Sequence, residues 1–304
     1  MKKKSLKMCV ADIVFMICVY VILTTIFVAT LYPMIFILSA SFSNPGMVSA
    51  GKLVLWPVGF NLDGYKYLLD YKEIWAGYSN TFIYTIGGTI LNLLATIPAA
   101  YALSRWDLKG KGFFMGIFVV TMYFSGGLIP SYLNVKSLGL LNTRTIIMIM
   151  GLVSPYNLIV ARTFFSTSIP RELHEAAYID GATDFQTFRQ VVLPLSKPIL
   201  AVMTLYYGVG HWNSYFSEMI YLKDEEKFPL QLVLKRILLQ ADVLKAAIME
   251  GAEAETIKAL MADQDAANQL KYGVIVVSTV PMLILYPFLE KYFAKGVMIG
   301  SVKG

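Results

Sequence analysis

Ser168-Ile-Pro-Arg-Glu-Leu-His-Glu-Ala-Ala-Tyr-Ile-Asp-Gly-Ala-Thr-Asp-Phe-Gln-Thr-Phe-Arg-Gln-Val-Val-Leu-Pro-Leu-Ser-Lys-Pro198 is a polar, capped stretch lying between two apolar ones. Its local chemistry predicts a short helix: Ser168 as N-cap, Pro170 in the first turn and Glu172 beside the positive end of the helix dipole. The helix runs about two and a half turns to Asp180. Gly181 then supplies the residue that takes a positive φ at a C-cap. Thr183 and Gln186 have the spacing of a capping box and open a second helix, expected to stop before Pro194. The product is helix, glycine elbow, helix. Small Ala176 and Ala177 let another surface approach closely, Leu173, Tyr178 and Ile179 offer apolar contact, and Glu175 and Asp180 offer charge. From spacing alone a docking knob competes with a solvated connector, and Asp180 with a turn-holding role.

Outward from this elbow the chain is apolar. Of its 304 residues 57% are apolar and only 15% charged, where a soluble domain carries about 25% charge, so too few polar side chains remain to cover a water-facing surface. Each membrane span needs about 20 apolar residues. Six stretches qualify: Ile13–Leu38, Tyr78–Leu103, Gly112–Pro130, Thr145–Phe165, Pro198–Leu222 and Tyr272–Leu289. The fold class that follows is an all-α integral membrane protein with six transmembrane helices. The first stretch is about twice the length of a signal-peptide core and reads as a retained anchor. Cys9 and Cys18 have no cysteine elsewhere to pair with, so no disulfide framework or cysteine metal site is available.

Charge sets the expected orientation. Alternate connections place 14 Lys and Arg on the side of the elbow and 12 on the other, seven of the latter in residues 223–271 beside nine acids. Netting the acids leaves +7 against 0, with Glu218 inside the fifth stretch, so both termini are expected to be cytoplasmic. The net +6 forms no basic stripe, and no nucleic-acid partner is expected. Residues 41–77 open with a turn-rich run, and a short amphipathic helix is expected after it. In 223–271, Pro229 with Leu232, Leu239, Val243 and Leu244 favours helix, continued by an Ala- and Glu-rich run to Ala267. Pro98, Pro130, Pro155 and Pro281 read as kinks, and Gly87-Gly88 and Gly208-x-Gly210 as close helix packing.

Within the fifth stretch, Tyr207, Trp212, Asn213, Tyr215 and Glu218 combine aromatic faces with hydrogen-bonding groups, the chemistry of a sugar path. An aromatic belt at the membrane boundary, with Tyr206 among its members, is the competing reading. Glu218 weighs most, because an ionisable group in a span is costly. His174 and His211 are separated by a full span, so they cannot share a metal, and no catalytic cluster is visible. Gly110-Lys111 lacks the glycine and hydroxyl residue that a phosphate-cradling loop requires, so nucleotide hydrolysis must come from elsewhere.

Glu175-Ala176-Ala177-x-x-Asp180-Gly181-Ala182, followed by Phe188, Pro194 and Pro198, resembles the EAA loop of binding-protein-dependent ABC importer permeases. His211-Trp212-Asn213-Ser214-Tyr215, Pro229-Leu230-Gln231 and the tail from Lys291-Tyr292-Phe293 to Gly300-Ser301-Val302-Lys303-Gly304 look like the maltose-type carbohydrate permeases, specifically the six-span partner of a pair. The resemblance spans the chain, most firmly from Lys72 onward. It implies a type I importer: residues 1–12 and 291–304 as cytoplasmic tails, 13–40 as the first span, 41–71 as an extracytoplasmic segment and 72–290 as the transport core. Within that core 166–197 is a coupling loop and 223–271 an extracytoplasmic loop, longer than in many relatives. The resemblance further implies that Glu175, Ala176, Ala177, Tyr178, Asp180, Gly181 and Ala182 couple to a cytoplasmic ATPase dimer, which alone binds ATP and Mg. A second permease subunit, an extracytoplasmic solute-binding protein and a carbohydrate complete the set, in a bacterial plasma membrane. An importer of a non-sugar solute remains an alternative. An ion-coupled secondary carrier would want paired intramembrane acids or inverted symmetry, and a membrane enzyme a clustered site; neither pattern is visible.

Overall fold

The computed structural model describes residues 9–249, 270–284 and 287, all helix, turn or loop, with no strand among them. The helices are α1 (Val10–Ser41), α2 (Pro45–Ser49), α3 (Asp63–Asp70), α4 (Lys72–Ser104), α5 (Lys111–Tyr123), α6 (Leu128–Ser137), α7 (Arg144–Ile149) and α8 (Pro155–Ser168). They continue as α9 (Arg171–Ile179), α10 (Asp184–Leu195), α11 (Lys197–Trp212), α12 (Phe216–Tyr221), α13 (Leu230–Met249) and α14 (Leu270–Ile284). Two compact units result, Met1–Asp70 with Ile237–Val277, and Tyr71–Arg236 with Ser278–Gly304. The Ala- and Glu-rich run to Ala267 and the tail from Lys291 lie outside the described residues.

In the first unit, α1 carries 32 residues, about 48 Å of helix, enough to cross a bilayer core. Thr25 and Thr30 turn their hydroxyls back onto the Val21 and Ile26 carbonyls, so neither leaves a bare donor among apolar neighbours. Beyond it, Ser43 and Tyr65 fasten the turn-rich segment: the Ser43 hydroxyl receives the Val58 N–H, and the Tyr65 hydroxyl donates to Ser41. The short helix expected in 41–77 is α3, preceded by α2, which Asn44 caps.

The second unit is built on α4. Its inner face repeats every three to four residues with small and polar groups, Gly77, Asn80, Thr81, Tyr84, Gly88, Asn92 and Thr96, ending in apolar Ile97, Ala100, Tyr101 and Leu103. The outer face is Phe82, Ile83, Ile86, Ile90 and Leu94, all exposed. A soluble helix would be patterned the other way round. Here the solvent is hydrocarbon, and close packing with internal hydrogen bonds is what the inner face must supply. Gly87 and Gly88 serve that packing: a Cβ on Gly88 would run into the His211 ring, and one on Gly87 would come within 2.8 Å of the Met148 sulfur. Gly208 makes only ordinary contact with Thr89, and nothing lies within 4 Å of a Cβ at Gly210.

Among the described residues, α1 and α4 are each long and apolar enough to cross a membrane, and the pairs α5 with α6 and α10 with α11 would qualify if each pair were one span. The apolar stretches are thus broken where hydropathy reads straight through. Gly112–Pro130 turns by 116° at Phe124–Gly127, where Gly127 has φ +87, and Pro130 falls in the first turn of α6. Thr145–Phe165 divides into α7 and α8 around an unwound Met150–Ser154, and Pro198–Leu222 divides into α11 and α12 at Asn213–Tyr215. The last stretch is described as far as α14.

Candidate functional site

The elbow forms as its caps dictate, with three corrections. Helix α9 ends on the Schellman arrangement: Gly181 N–H donates to the Tyr178 carbonyl at 3.0 Å and Ala182 N–H to the Ala177 carbonyl at 2.9 Å, with Gly181 at φ +77. Thr183 and Gln186 complete the reciprocal capping box, at 2.8 Å and 3.3 Å. The first correction is at Ser168, which closes α8 and does not cap α9; Pro170 holds the N-cap position. The second is at Pro194, which stands inside α10 because Thr187–Val192 widens into a π turn that absorbs the missing donor. The chain bends by 81° only at Ser196, whose hydroxyl caps the Val192 carbonyl at 2.7 Å. The third is Leu173, which is half-buried and packs on the core cluster that holds Tyr101 and Phe165.

Of the predicted coupling residues, Ala177 is buried and Ala182 half-buried, so they seat the elbow. Glu175, Ala176, Asp180 and Gly181 are exposed. Tyr178 and Ile179 are 82% and 83% exposed, with Phe185 on the facing turn at 68%. The capped tip thus holds three large apolar side chains away from its own core.

The root of the elbow is a stack of rings and cations. Tyr101 of α4 touches Phe188 of α10, with ring centres 5.0 Å apart, and lies parallel to His174 of α9 at 5.9 Å. Trp106 meets the other side of His174 edge-on at 5.6 Å, and the Arg105 and Arg171 guanidinium carbons lie 5.0 Å and 5.4 Å from the Trp106 ring centre. Arg105 also grips both carboxylate oxygens of Asp107, at 2.9 Å and 2.6 Å, and reaches Asp184 at 3.4 Å. That hydrogen bonding holds the Asp107 carboxyl below its ordinary range. Burial holds His174 below its ordinary value, against the opposing pull of the Pro170 carbonyl.

A cavity of about 260 Å³ opens farther along α4. Its wall includes Asn92, the unwound Gly151–Ser154 backbone, Tyr206, Tyr207, His211 and Glu218. The break between α7 and α8 frees backbone groups, and side chains satisfy them: Asn92 Nδ2 donates to the Gly151 and Leu152 carbonyls at 3.3 Å and 2.8 Å, while Tyr207 Oη accepts the Ser154 N–H at 3.1 Å. Asn92 Oδ1 pairs with His211 Nε2 at 2.7 Å, and Tyr207 Oη with the Thr96 hydroxyl, also at 2.7 Å. Glu218, 2% exposed, accepts a hydrogen bond from Ser214 at 2.9 Å.

Of the five predicted path residues, Tyr207 and Glu218 line this cavity and the other three do not. Trp212 is 2% exposed and is a core residue: it packs on Phe82 and Tyr78 and donates its indole N–H to the Ser278 carbonyl. Asn213 ends α11 and Tyr215 precedes α12, both exposed. A helix bend at Asn213–Tyr215 points these side chains away from the direction that straight-helix spacing implies. Asn92, His211, Ser154, Asn157 and Ser217 also line the cavity, and sequence reasoning missed them as wall residues. The available signal was Asn92, an amide in mid-span facing the same way as Thr96.

The family model described as binding-protein-dependent transport system inner membrane component matches residues 74–221, which hold α4, the elbow and the cavity. Protein LplC of Bacillus subtilis is 36% identical over 96% of this chain and 95% of its own length. The polygalacturonan/rhamnogalacturonan transport system permease protein YtcP of the same organism is 38% identical over 90% of this chain and 92% of its own. A crystal structure of a bacterial ABC transporter involved in the import of the acidic polysaccharide alginate contains a chain that superposes with a TM-score of 0.84, at 36% identity over 95% of this chain and 100% of that one. With an all-helical membrane fold, a capped elbow and relatives of matching length, the chain belongs to the family of binding-protein-dependent transport system inner membrane components.

Proposed function

We propose that this chain is one half of a heterodimeric ABC importer pathway for an oligosaccharide or related glycan. A second permease supplies the other half, and an extracytoplasmic binding protein delivers the substrate. A cytoplasmic ATPase dimer, carrying all the ATP and Mg, grips the elbow. The chain then spans a bacterial plasma membrane several times with both termini in the cytoplasm, as the charge asymmetry favours. The observation that carries this is the exposed Tyr178 and Ile179 pair on a tip fixed by two caps, in a chain of this family.

Carbohydrate rather than another solute is supported by the relatives named for polygalacturonan, rhamnogalacturonan and alginate. The Glu218, Ser214, Asn157 and Ser217 groups around the cavity suit hydroxyl-rich cargo. ATP-driven closure of the partner biases outward against inward states through the elbow, and this chain performs no chemistry. Tyr207 holds structure here, since its hydroxyl already serves Thr96 and Ser154.

The test is purification of the chain with its neighbouring permease and reconstitution in lipid. An ATPase subunit co-purifies, and glycan-loaded binding protein raises ATP hydrolysis. Ionophore-sensitive uptake by this chain alone, without an ATPase, would overturn the proposal in favour of a secondary carrier.

A further inference from the structure

The cavity is lined by α11, by the α7–α8 segment and, from α4, by Asn92, and α11 and α4 reach the elbow by different routes. Helix α11, bearing Tyr207 and His211, continues covalently from α10 through the bend at Ser196. Helix α4, bearing Asn92 and Thr96, is remote in sequence from the elbow. Its last turn ends at Arg105, Trp106 and Asp107, and these close on α9 and α10. Two guanidiniums lie over the Trp106 ring, Arg105 from its own connection and Arg171 from the start of α9. Its edge meets His174 in the middle of α9, and His174 lies flat on Tyr101. Arg105 adds the ion pair to Asp184, the first residue of α10. Both elbow helices are therefore held to the end of α4.

No hydrogen bond joins one ring of this stack to another: His174 Nε2 and Tyr101 Oη are buried with no hydrogen-bond partner among the described residues. Ring faces and guanidiniums over the indole resist separation while tolerating rotation, because cation–π and stacking contacts have broad minima. Along α4, Tyr101 lies about 8 Å beyond Thr96 and about 14 Å beyond Asn92. A displacement of the elbow is thus delivered within three turns to the residues that pin His211 and Tyr207.

We propose that Trp106, which packs on Arg105, Arg171 and His174, is a positioning residue, the rivet that makes the end of α4 travel with the elbow, so that the α4 and α11 sides of the cavity move together when the partner ATPase closes. The assignment deepens the importer reading and rests on it. Without the rivet, the end of α4 keeps the Arg105–Asp184 pair and its apolar packing but loses its contact with the middle of α9, so its motion follows the elbow less closely.

The experiment places nitroxide labels at Leu94→Cys on α4 and Gln190→Cys on α10, with Cys9→Ser and Cys18→Ser removing the native thiols, in the reconstituted complex. Distances are measured without nucleotide and after trapping with ATP and vanadate. With Trp106 present the distance peak is the same in both states. In Trp106→Ala it shifts or broadens on trapping, and stimulation of hydrolysis by binding protein falls about tenfold, a coupling loss of the usual allosteric size, while basal hydrolysis persists. Trp106→Phe keeps a ring face for both guanidiniums and restores the fixed distance. A peak that shifts with Trp106 in place, or stays fixed in Trp106→Ala, overturns the rivet alone. Absence of an ATPase from the unsubstituted complex overturns the importer reading together with it.

Discussion

The two ends of α4 are held by opposite means. At its elbow end the contacts are rings and guanidiniums, with a weak ion pair to Asp184 and unpartnered polar atoms inside. Toward its Lys72 end, side chains capture backbone groups by hydrogen bonds. Asn80 Nδ2 donates to the Glu226 and Phe228 carbonyls at 2.7 Å and 3.1 Å, Tyr84 Oη donates to the Lys227 carbonyl at 2.7 Å, and Thr81 Oγ1 accepts the Leu230 N–H at 2.8 Å. Arg144 donates to the Asn80 oxygen, and Asn142, at φ +58, accepts the Lys223 and Asp224 N–H groups. Hydrogen bonds weaken steeply when misaligned, so this clasp has one register, and leaving it exposes buried polar groups. The ring stack has no such register. The difference teaches where the helix is anchored and where it is free to pivot.

The largest effect expected from breaking that contrast is at the elbow tip. Gly181→Pro cannot adopt φ +77 and removes the N–H given to Tyr178, at a local cost of about 3 kcal/mol or more. Uptake and ATPase co-purification should be lost, while Gly181→Asn, which tolerates the left-handed region, keeps both. Uptake by Gly181→Pro at the unsubstituted rate would mean the tip need not be ordered.

The clasp should respond in stability rather than coupling. Asn80→Ala orphans two carbonyls and an arginine, a loss of about 2 kcal/mol visible as a lowered midpoint of thermal unfolding in detergent. The ratio of stimulated to basal hydrolysis should be unchanged below that midpoint. A fall in that ratio with no change in midpoint would show that the clasp end moves too.

The smallest effect expected is from acid on the stack. His174 sits near Arg105 and, across Trp106, Arg171, with Asp107 and Asp184 as the nearby acids, and its folded pKa is below the ordinary 6.5. The unfolded chain therefore binds the proton first. The stabilisation is complete above about pH 6.5, declines as pH falls toward the depressed folded value, and is level below it. Thermal midpoints taken from about pH 7.5 to about pH 5 should show this decline, and His174→Phe, which keeps the rings stacked, should flatten that contribution. An identical slope in both proteins would locate the acid sensitivity elsewhere.

The elbow was legible because its determinants are local. Thr183 and Gln186, or Ala177 and Ala182, meet within five residues of one another, so spacing alone decides the geometry. Even there Pro194 misled, since a π turn is a property of how α10 packs. The substrate path was less legible. Spacing along a straight helix groups Trp212, Asn213 and Tyr215 with Glu218, but a bend between α11 and α12 separates them. Trp212 then goes to the core, where Phe82, Tyr78 and the Ser278 carbonyl receive it.

From composition and order of residues alone came a helical membrane protein, its apolar stretches and a capped elbow, because hydropathy and capping act over one span or one turn. Only the tertiary structure decided where those stretches break, which side chains face the cavity and how α4 is fastened at each end. Those choices depend on pairs distant in the chain, such as Asn92 with Leu152 or Tyr101 with His174, and an unwound backbone in an apolar setting persists only where such a partner arrives to satisfy it.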